Sequence, residues 1–208
     1  MIVEVNNIIY QIVVPQKSGI STVVNWLAYP TWGQTGTKTQ AREHLGDRLI
    51  HIGDVDELEW AEQQGIKPDV KIAVVRDPLD RAYSVWRDRV VKKQRHDWND
   101  SSFEAYIDRL EDLDPSSDVG RHSRPQVEWL TEDWEQYDFT VATQDLEQRL
   151  KRYLDPLLKT ELPVIRANHS GWDRPMVDQH RLNTITRFYE RDYTAWNHVW
   201  GWFDGQNH

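Results

Sequence analysis

Ile8-Ile9-Tyr10-Gln11-Ile12-Val13-Val14-Pro15-Gln16-Lys17-Ser18-Gly19-Ile20-Ser21-Thr22-Val23-Val24-Asn25-Trp26-Leu27 is the stretch on which the fold turns. It opens with an apolar, β-branched run that stops at a proline, the pattern of a parallel core strand. Pro15 to Thr22 is a short polar turn with one lysine, and the residues from Val23 continue as a helix that Ser21 or Thr22 can cap. Backbone N–H groups and the positive end of a helix dipole converge in such a turn. That suits a phosphate or sulfate, and Lys17 adds a full charge. The same letters also fit an ordinary βα turn. The Walker order GxxxxGK[ST] is absent because Lys17 precedes Gly19, which argues against a standard nucleoside triphosphatase.

Working outward, residues 48–52 read as a second short strand stopped by Gly53-Asp54, and residues 55–64 as a helix. Residues 70–75 (Val-Lys-Ile-Ala-Val-Val) are the clearest strand after the first. They run into Arg76-Asp77-Pro78 and a helix from Leu79 or Asp80 to about Lys93. Further helices are expected at 102–113, with Ser101 and Glu104 as a capping box, at 125–135 starting on Pro125, at 145–154, and at 178–196. Residues 139–143 are a fourth strand. Residues 30–47, 114–124 and 160–178 read mainly as loops. Strands alternating with helices predict an α/β three-layer sandwich around a central, mostly parallel sheet, in a single domain over 1–208. Ligands of such folds sit at the carboxyl ends of the strands.

Composition narrows the function classes. The chain has 208 residues, 38% hydrophobic and 28% charged, within the range of a globular protein. A net charge of −9 argues against a broad nucleic-acid surface. No apolar run approaches the length of a membrane span, and Met1 to Asn7 shows no signal-peptide pattern. Cysteine is absent, which excludes disulfides, thiolate metal sites and a cysteine nucleophile. A cytoplasmic protein is the simplest expectation. No cluster with metal-ligand spacing stands out, and nothing indicates an oligomeric state. The eleven tryptophans serve packing or offer flat platforms for sugar rings.

The strand ends supply the chemistry. The first gives Lys17, Ser18, Gly19, Ile20, Ser21 and Thr22; the second gives His51; the third gives Arg76, with Arg81 and Ser84 on the next helix. An arginine at a strand end, a serine farther along the helix and the helix N-terminus can jointly hold a phosphate. Arg76-Asp77-Pro78 also fits a plain turn with a local ion pair.

These residues resemble the sulfotransferases that use 3′-phosphoadenosine-5′-phosphosulfate (PAPS). Lys17-Ser18-Gly19-Ile20-Ser21-Thr22 is similar to their 5′-phosphosulfate loop, P-K-x-G-x-[ST]-[ST], with Gln16 inserted after Pro15 and Ile20 at a position where a small residue is usual. Arg76-Asp77-Pro78-Leu79-Asp80-Arg81-Ala82-Tyr83-Ser84 is similar to their 3′-phosphate signature, R-[DN]-P-x-[DE]-R-x-x-S. His122-Ser123-Arg124-Pro125-Gln126, Tyr137-Asp138-Phe139, Asn168-His169-Ser170 and Phe188 to Tyr193 resemble, in order, elements of the Golgi carbohydrate branch. Without that branch's anchor, the resemblance implies a soluble microbial or viral relative with a P-loop-like fold.

The resemblance implies sulfuryl transfer from PAPS to a hydroxyl acceptor, a small molecule or oligosaccharide, without metal or nucleic acid. Lys17 would stabilise charge on the leaving nucleotide, the Ser18–Thr22 segment would hold the 5′ end, and Arg76 and Ser84 the 3′-phosphate. His51 is the first candidate for the base that takes the acceptor's proton, Glu43 the second and His122 the third. Arg124 and Trp129 are candidates for lining the acceptor cleft, and Arg166, Asn168 and Ser170 for a segment closing over the ligand. Two other readings stand beside this one: a nucleotide-dependent kinase of related α/β fold, and a nucleotide-binding protein without turnover.

Overall fold

The computed structural model describes residues 1–51, 63–130, 136–165 and 176–204. The chain forms two compact units, Met1–Val75 with Trp129–His169, and Arg76–Glu128 with Ser170–His208.

The first unit holds a five-stranded sheet, counted among the described residues, in the order β3-β1-β2-β4-β5. The strands are β1 (Ile2–Val5), β2 (Ile8–Val13), β3 (Leu49–His51), β4 (Val70–Val75) and β5 (Phe139–Ala142). β1 was not expected. It is four residues long, and its pattern of buried Ile2, Val3 and Val5 around exposed Glu4 is too short to read as alternation. The better signal is Asn6-Asn7, both left-handed (φ 55° and 62°), which turn the chain so that Val5 pairs with Ile8. Asparagine tolerates that conformation, and two such residues make a tight hairpin. β1 is antiparallel to both neighbours, so β3, β2, β4 and β5 all run one way. The sheet is therefore mixed but mostly parallel.

Val3, Val5, Tyr10, Ile12, Ile72, Val74 and Val141 share a core with the helices α1 (Ile20–Trp32), α2 (Lys38–Leu45) and α6 (Lys151–Leu158). The alternate residues Gln11, Val13, Ala73, Val75 and Ala142 are buried as well. Burial on both faces is why β2 and β4 read as mainly apolar runs, interrupted by Gln11 and Lys71. Trp26 is wholly buried, and its indole N–H donates to the Pro163 carbonyl at 2.9 Å. α1 runs past the expected loop boundary at Pro30 and stops at left-handed Gly33. A proline in the last turn removes only one backbone bond, so the helix survives it. α2 stands on a Thr37–Gln40 capping box.

The second unit begins where β4 ends. α3 (Pro78–Val85) starts on Asp77, whose side chain accepts from the Asp80 N–H, with Pro78 in the first turn. It continues as a wider π-helical stretch over Trp86–Lys92. The helix expected at 102–113 is shorter, α4 (Phe103–Ile107) followed by a 3₁₀ turn, and Ser102 rather than Ser101 caps it. The expected loop at 114–124 contains α5 (Asp118–Ser123), capped by Ser117. Gly120 lies inside this helix. In the fold it permits a close approach, since a Cβ there would lie 1.9 Å from the Asp114 carbonyl oxygen. Of the helix expected at 125–135, the described part is a 3₁₀ turn over Gln126–Glu128. The final helix is two, α7 (Gln179–Phe188) and α8 (Glu190–Asp204), broken at Tyr189. Ala82, Tyr83, Val85, Phe103, Tyr106, Ile107, Ile185 and Tyr189 lie in this unit's core. Among the described residues no helix is long and apolar enough to cross a membrane.

The helix expected at 55–64 lies almost wholly outside the described residues, as do Arg166, Asn168 and Ser170.

Candidate anion-binding site

In the first unit, the chain leaves β2 through a turn closed by the Ser18 N–H donating to the Pro15 carbonyl at 3.0 Å. Lys17 (φ 69°) and Gly19 (φ 95°) are both left-handed. Gly19 is the N-cap of α1, and no side chain caps the helix. This corrects the expectation that Ser21 or Thr22 serves as cap: both lie inside the first turn. Thr22 and Val23 donate back to the Gly19 carbonyl. The N–H groups ahead of them have no carbonyl one turn back, as at any helix start. No acidic side chain occupies the first turn. The loop thus keeps a helix N-terminus and a lysine in one place, the arrangement that receives an anion.

Neighbouring residues hold this loop in shape. Ser18 is fully buried. Thr143, just after β5, places its hydroxyl 2.9 Å from the Val75 carbonyl and 3.4 Å from the Ser18 carbonyl, linking the end of β4 to the loop. Asn25 donates to the Ser21 carbonyl and accepts from the Gly36 N–H. Ile20 packs against the sheet-side core, so its bulk serves packing while its backbone opens the helix. Neither Thr143 nor Asn25 could be picked out from the sequence, because a lone threonine or asparagine bonding to backbone carries no motif.

His51 ends β3, which runs in the same direction as β2 with β1 between them. Through Ile2 of β1, its backbone lies level with Gln11 of β2, about two strand spacings, roughly 10 Å, away. Its side chain lies outside the described residues. Glu43 is exposed on α2.

In the second unit, Arg76 directly precedes the capping Asp77 of α3, and Ser84 lies farther along the same helix, half-buried. Arg81, which the spacing groups with Ser84, is fully buried instead. Its Nη2 donates to the His122 carbonyl at 3.0 Å, and its guanidinium stands over the Tyr189 ring at 5.9 Å. The Arg76 backbone is clasped by Gln126: the Arg76 N–H donates to Oε1 at 2.9 Å, and Nε2 donates to the Arg76 carbonyl at 2.7 Å. Gln126 and Val127 in turn donate their N–H groups to the two carboxylate oxygens of Asp192, at 2.8 and 3.0 Å. Burial raises the Asp192 carboxyl above its ordinary pKa, while Arg81 and these N–H donors act in the opposite direction.

His122 is buried, with both ring nitrogens engaged. Nδ1 donates to the Asp118 carbonyl at 2.7 Å, which leaves Nε2 as the acceptor for Nη2 of Arg89. Arg89 also reaches Asp118 Oδ2 at 3.2 Å. The lone pair that a base would use is already occupied. Arg124 donates to the Pro115 carbonyl at the long distance of 3.4 Å. Trp129 is half-buried, with no hydrogen-bond partner for its indole N–H among the described residues.

Of the comparisons with known proteins, the one with family patterns finds a match. No curated protein and no solved structure matches the chain. The sequence pattern of the sulfotransferase family matches residues 1–197. The match takes in both the Lys17 loop and the Arg76 signature, and the chain belongs to the sulfotransferase family, enzymes that transfer sulfuryl groups.

Proposed function

We propose that this enzyme takes its sulfuryl group from PAPS and delivers it to a hydroxyl of a small-molecule or oligosaccharide acceptor, a carbohydrate. One observation carries the reading. A 13-residue helix begins on a left-handed glycine directly after Lys17–Ser18, with neither a capping side chain nor an acidic residue at its start. Such a terminus favours a bound anion. The residues present fit a phosphosulfate: the turn carries Lys17, and the helix start has neither a capping side chain nor an acidic one. The reading carries with it the P-loop-like, three-layer architecture of sulfotransferases that use PAPS.

PAPS supplies an activated sulfuryl group. Lys17 stabilises negative charge at the 5′ end, and the Ser18–Thr22 backbone with the Ser21 and Thr22 hydroxyls holds that end in position. Arg76 and Ser84 hold the 3′-phosphate; the planar fork of the arginine meets two oxygens at once. His51 is the base that takes the acceptor's proton, and Glu43 is the second candidate. His122, with both nitrogens engaged, orients its surroundings rather than abstracting a proton.

The test is a thermal-shift titration with adenosine 3′,5′-bisphosphate, the desulfated product. The bisphosphate is expected to raise Tm, and Arg76→Ala to remove most of the shift. Absence of a shift at millimolar ligand overturns the reading, and a larger shift with Mg²⁺ and ATP replaces it with a kinase. Labelled PAPS offered to a panel of acceptors then identifies the product.

A further inference from the structure

We infer that Gln126 is a positioning residue for Arg76, held in place by Asp192, and that this relay sets affinity for the 3′-phosphate without touching it. The inference rests on the assignment of Arg76 to the 3′-phosphate. Its physical basis is local. Val75 is the last paired residue of β4, so the next residue has no ladder partner for its N–H and C=O. The Gln126 amide serves both groups, its oxygen accepting from the N–H at 2.9 Å and its nitrogen donating to the C=O at 2.7 Å. Arg76 itself is only half-buried, and water could satisfy its backbone. Burying a glutamine there costs side-chain entropy and desolvation that a plain turn would avoid. What the amide adds is a fixed backbone direction at Arg76, and so a fixed root for its long side chain.

The glutamine is itself anchored. Gln126 is 3% exposed and Asp192 is 1% exposed. Two N–H groups on one carboxylate orient the 3₁₀ turn as a unit, and the carboxylate belongs to α8, whose neighbour in the chain, Tyr189, bonds the Ser123 carbonyl at 2.8 Å. The relay from α8 through Gln126 to Arg76 consists of short hydrogen bonds within one unit, buried at Asp192 and part-buried at Arg76.

The experiment measures binding of two ligands by calorimetry, adenosine 3′,5′-bisphosphate and adenosine 5′-monophosphate, to wild type, Gln126→Met, Arg76→Ala and the double variant. Gln126→Met keeps the side-chain length and removes both hydrogen bonds. It is expected to weaken the bisphosphate about tenfold, to leave the monophosphate unchanged, and to add nothing once Arg76 is alanine. Gln126→Glu keeps the acceptor and loses the donor. It is expected to give a smaller loss in the same direction, and it serves if the methionine variant folds poorly. Equal weakening of both ligands, or effects that add in the double variant, overturns the inference. Arg76→Ala leaving the preference between the two ligands intact overturns the 3′-phosphate assignment itself, and the inference with it.

Discussion

Gly19 and Leu146 meet so closely that a Cβ on Gly19 would stand 2.6 Å from Leu146 Cδ1. The glycine is also left-handed, at φ 95°. Gly19→Ala therefore meets two penalties, backbone strain and overlap with a residue of the sheet-side core. The expected loss is about 2–3 kcal/mol of stability, read from urea denaturation. Binding of adenosine 3′,5′-bisphosphate falls as well, because relief of the overlap moves the start of α1. A variant as stable as wild type would show that the loop yields freely.

Lys17 gives a second prediction, which separates charge stabilisation from binding. Lys17→Ala is expected to lower kcat for sulfuryl transfer by about 10²–10³, while bisphosphate affinity changes by less than about tenfold. The helix start and the arginine remain to hold the ligand in this reading. Single-turnover rates with labelled PAPS check it. An affinity loss as large as the rate loss would make Lys17 a binding residue only.

Legibility in the sequence followed contact distance. β2, its turn and α1 are contiguous, and strands buried on both faces announce themselves as β-branched runs. β4 and Arg76 were legible for the same reason. β1 was not, because four residues carry no period and its evidence is the pairing with β2 and β3. The partners of Asp192 are backbone N–H groups more than sixty residues away, and a backbone donor leaves no letter in the sequence. The sequence offers His122 only as the third candidate for the base, after His51 and Glu43; that Arg89 and the Asp118 carbonyl engage its nitrogens appears only once the helices are packed. Arg81 stands beside Ser84 in the arginine signature, without a role read from the sequence. Only its burial shows it to be a structural tie.

Arg81 carries the third prediction. A wholly buried guanidinium that donates to the His122 carbonyl and stacks over Tyr189 acts as a structural tie. Arg81→Met keeps much of the volume but leaves the carbonyl short of a donor and Asp192 without a nearby positive charge. A loss of about 2–4 kcal/mol is expected, measured by chemical denaturation at neutral pH. A variant within about 0.5 kcal/mol of wild type would show that apolar packing replaces the arginine without loss.

Tyr10 gives the last prediction, a pH dependence with a definite sign. Its ring is fully buried in β2, and its hydroxyl has no hydrogen-bond partner among the described residues. Burial, with smaller effects from Tyr153 and Asp69, pushes its pKa from 10.0 up to about 12. The folded state therefore keeps the proton in a range where the unfolded chain releases it. The contribution is fully present below pH 10 and is lost as the pH rises toward 12. Tyr10→Phe removes both the unpartnered hydroxyl and the titration. At neutral pH the variant is expected to equal wild type or exceed it by up to about 1 kcal/mol. Between pH 10 and 12 its urea midpoint should fall less steeply than that of wild type. Parallel curves across that range would mean that the phenol titrates alike in both states, and a clear loss at neutral pH would mean that the hydroxyl is satisfied in the fold.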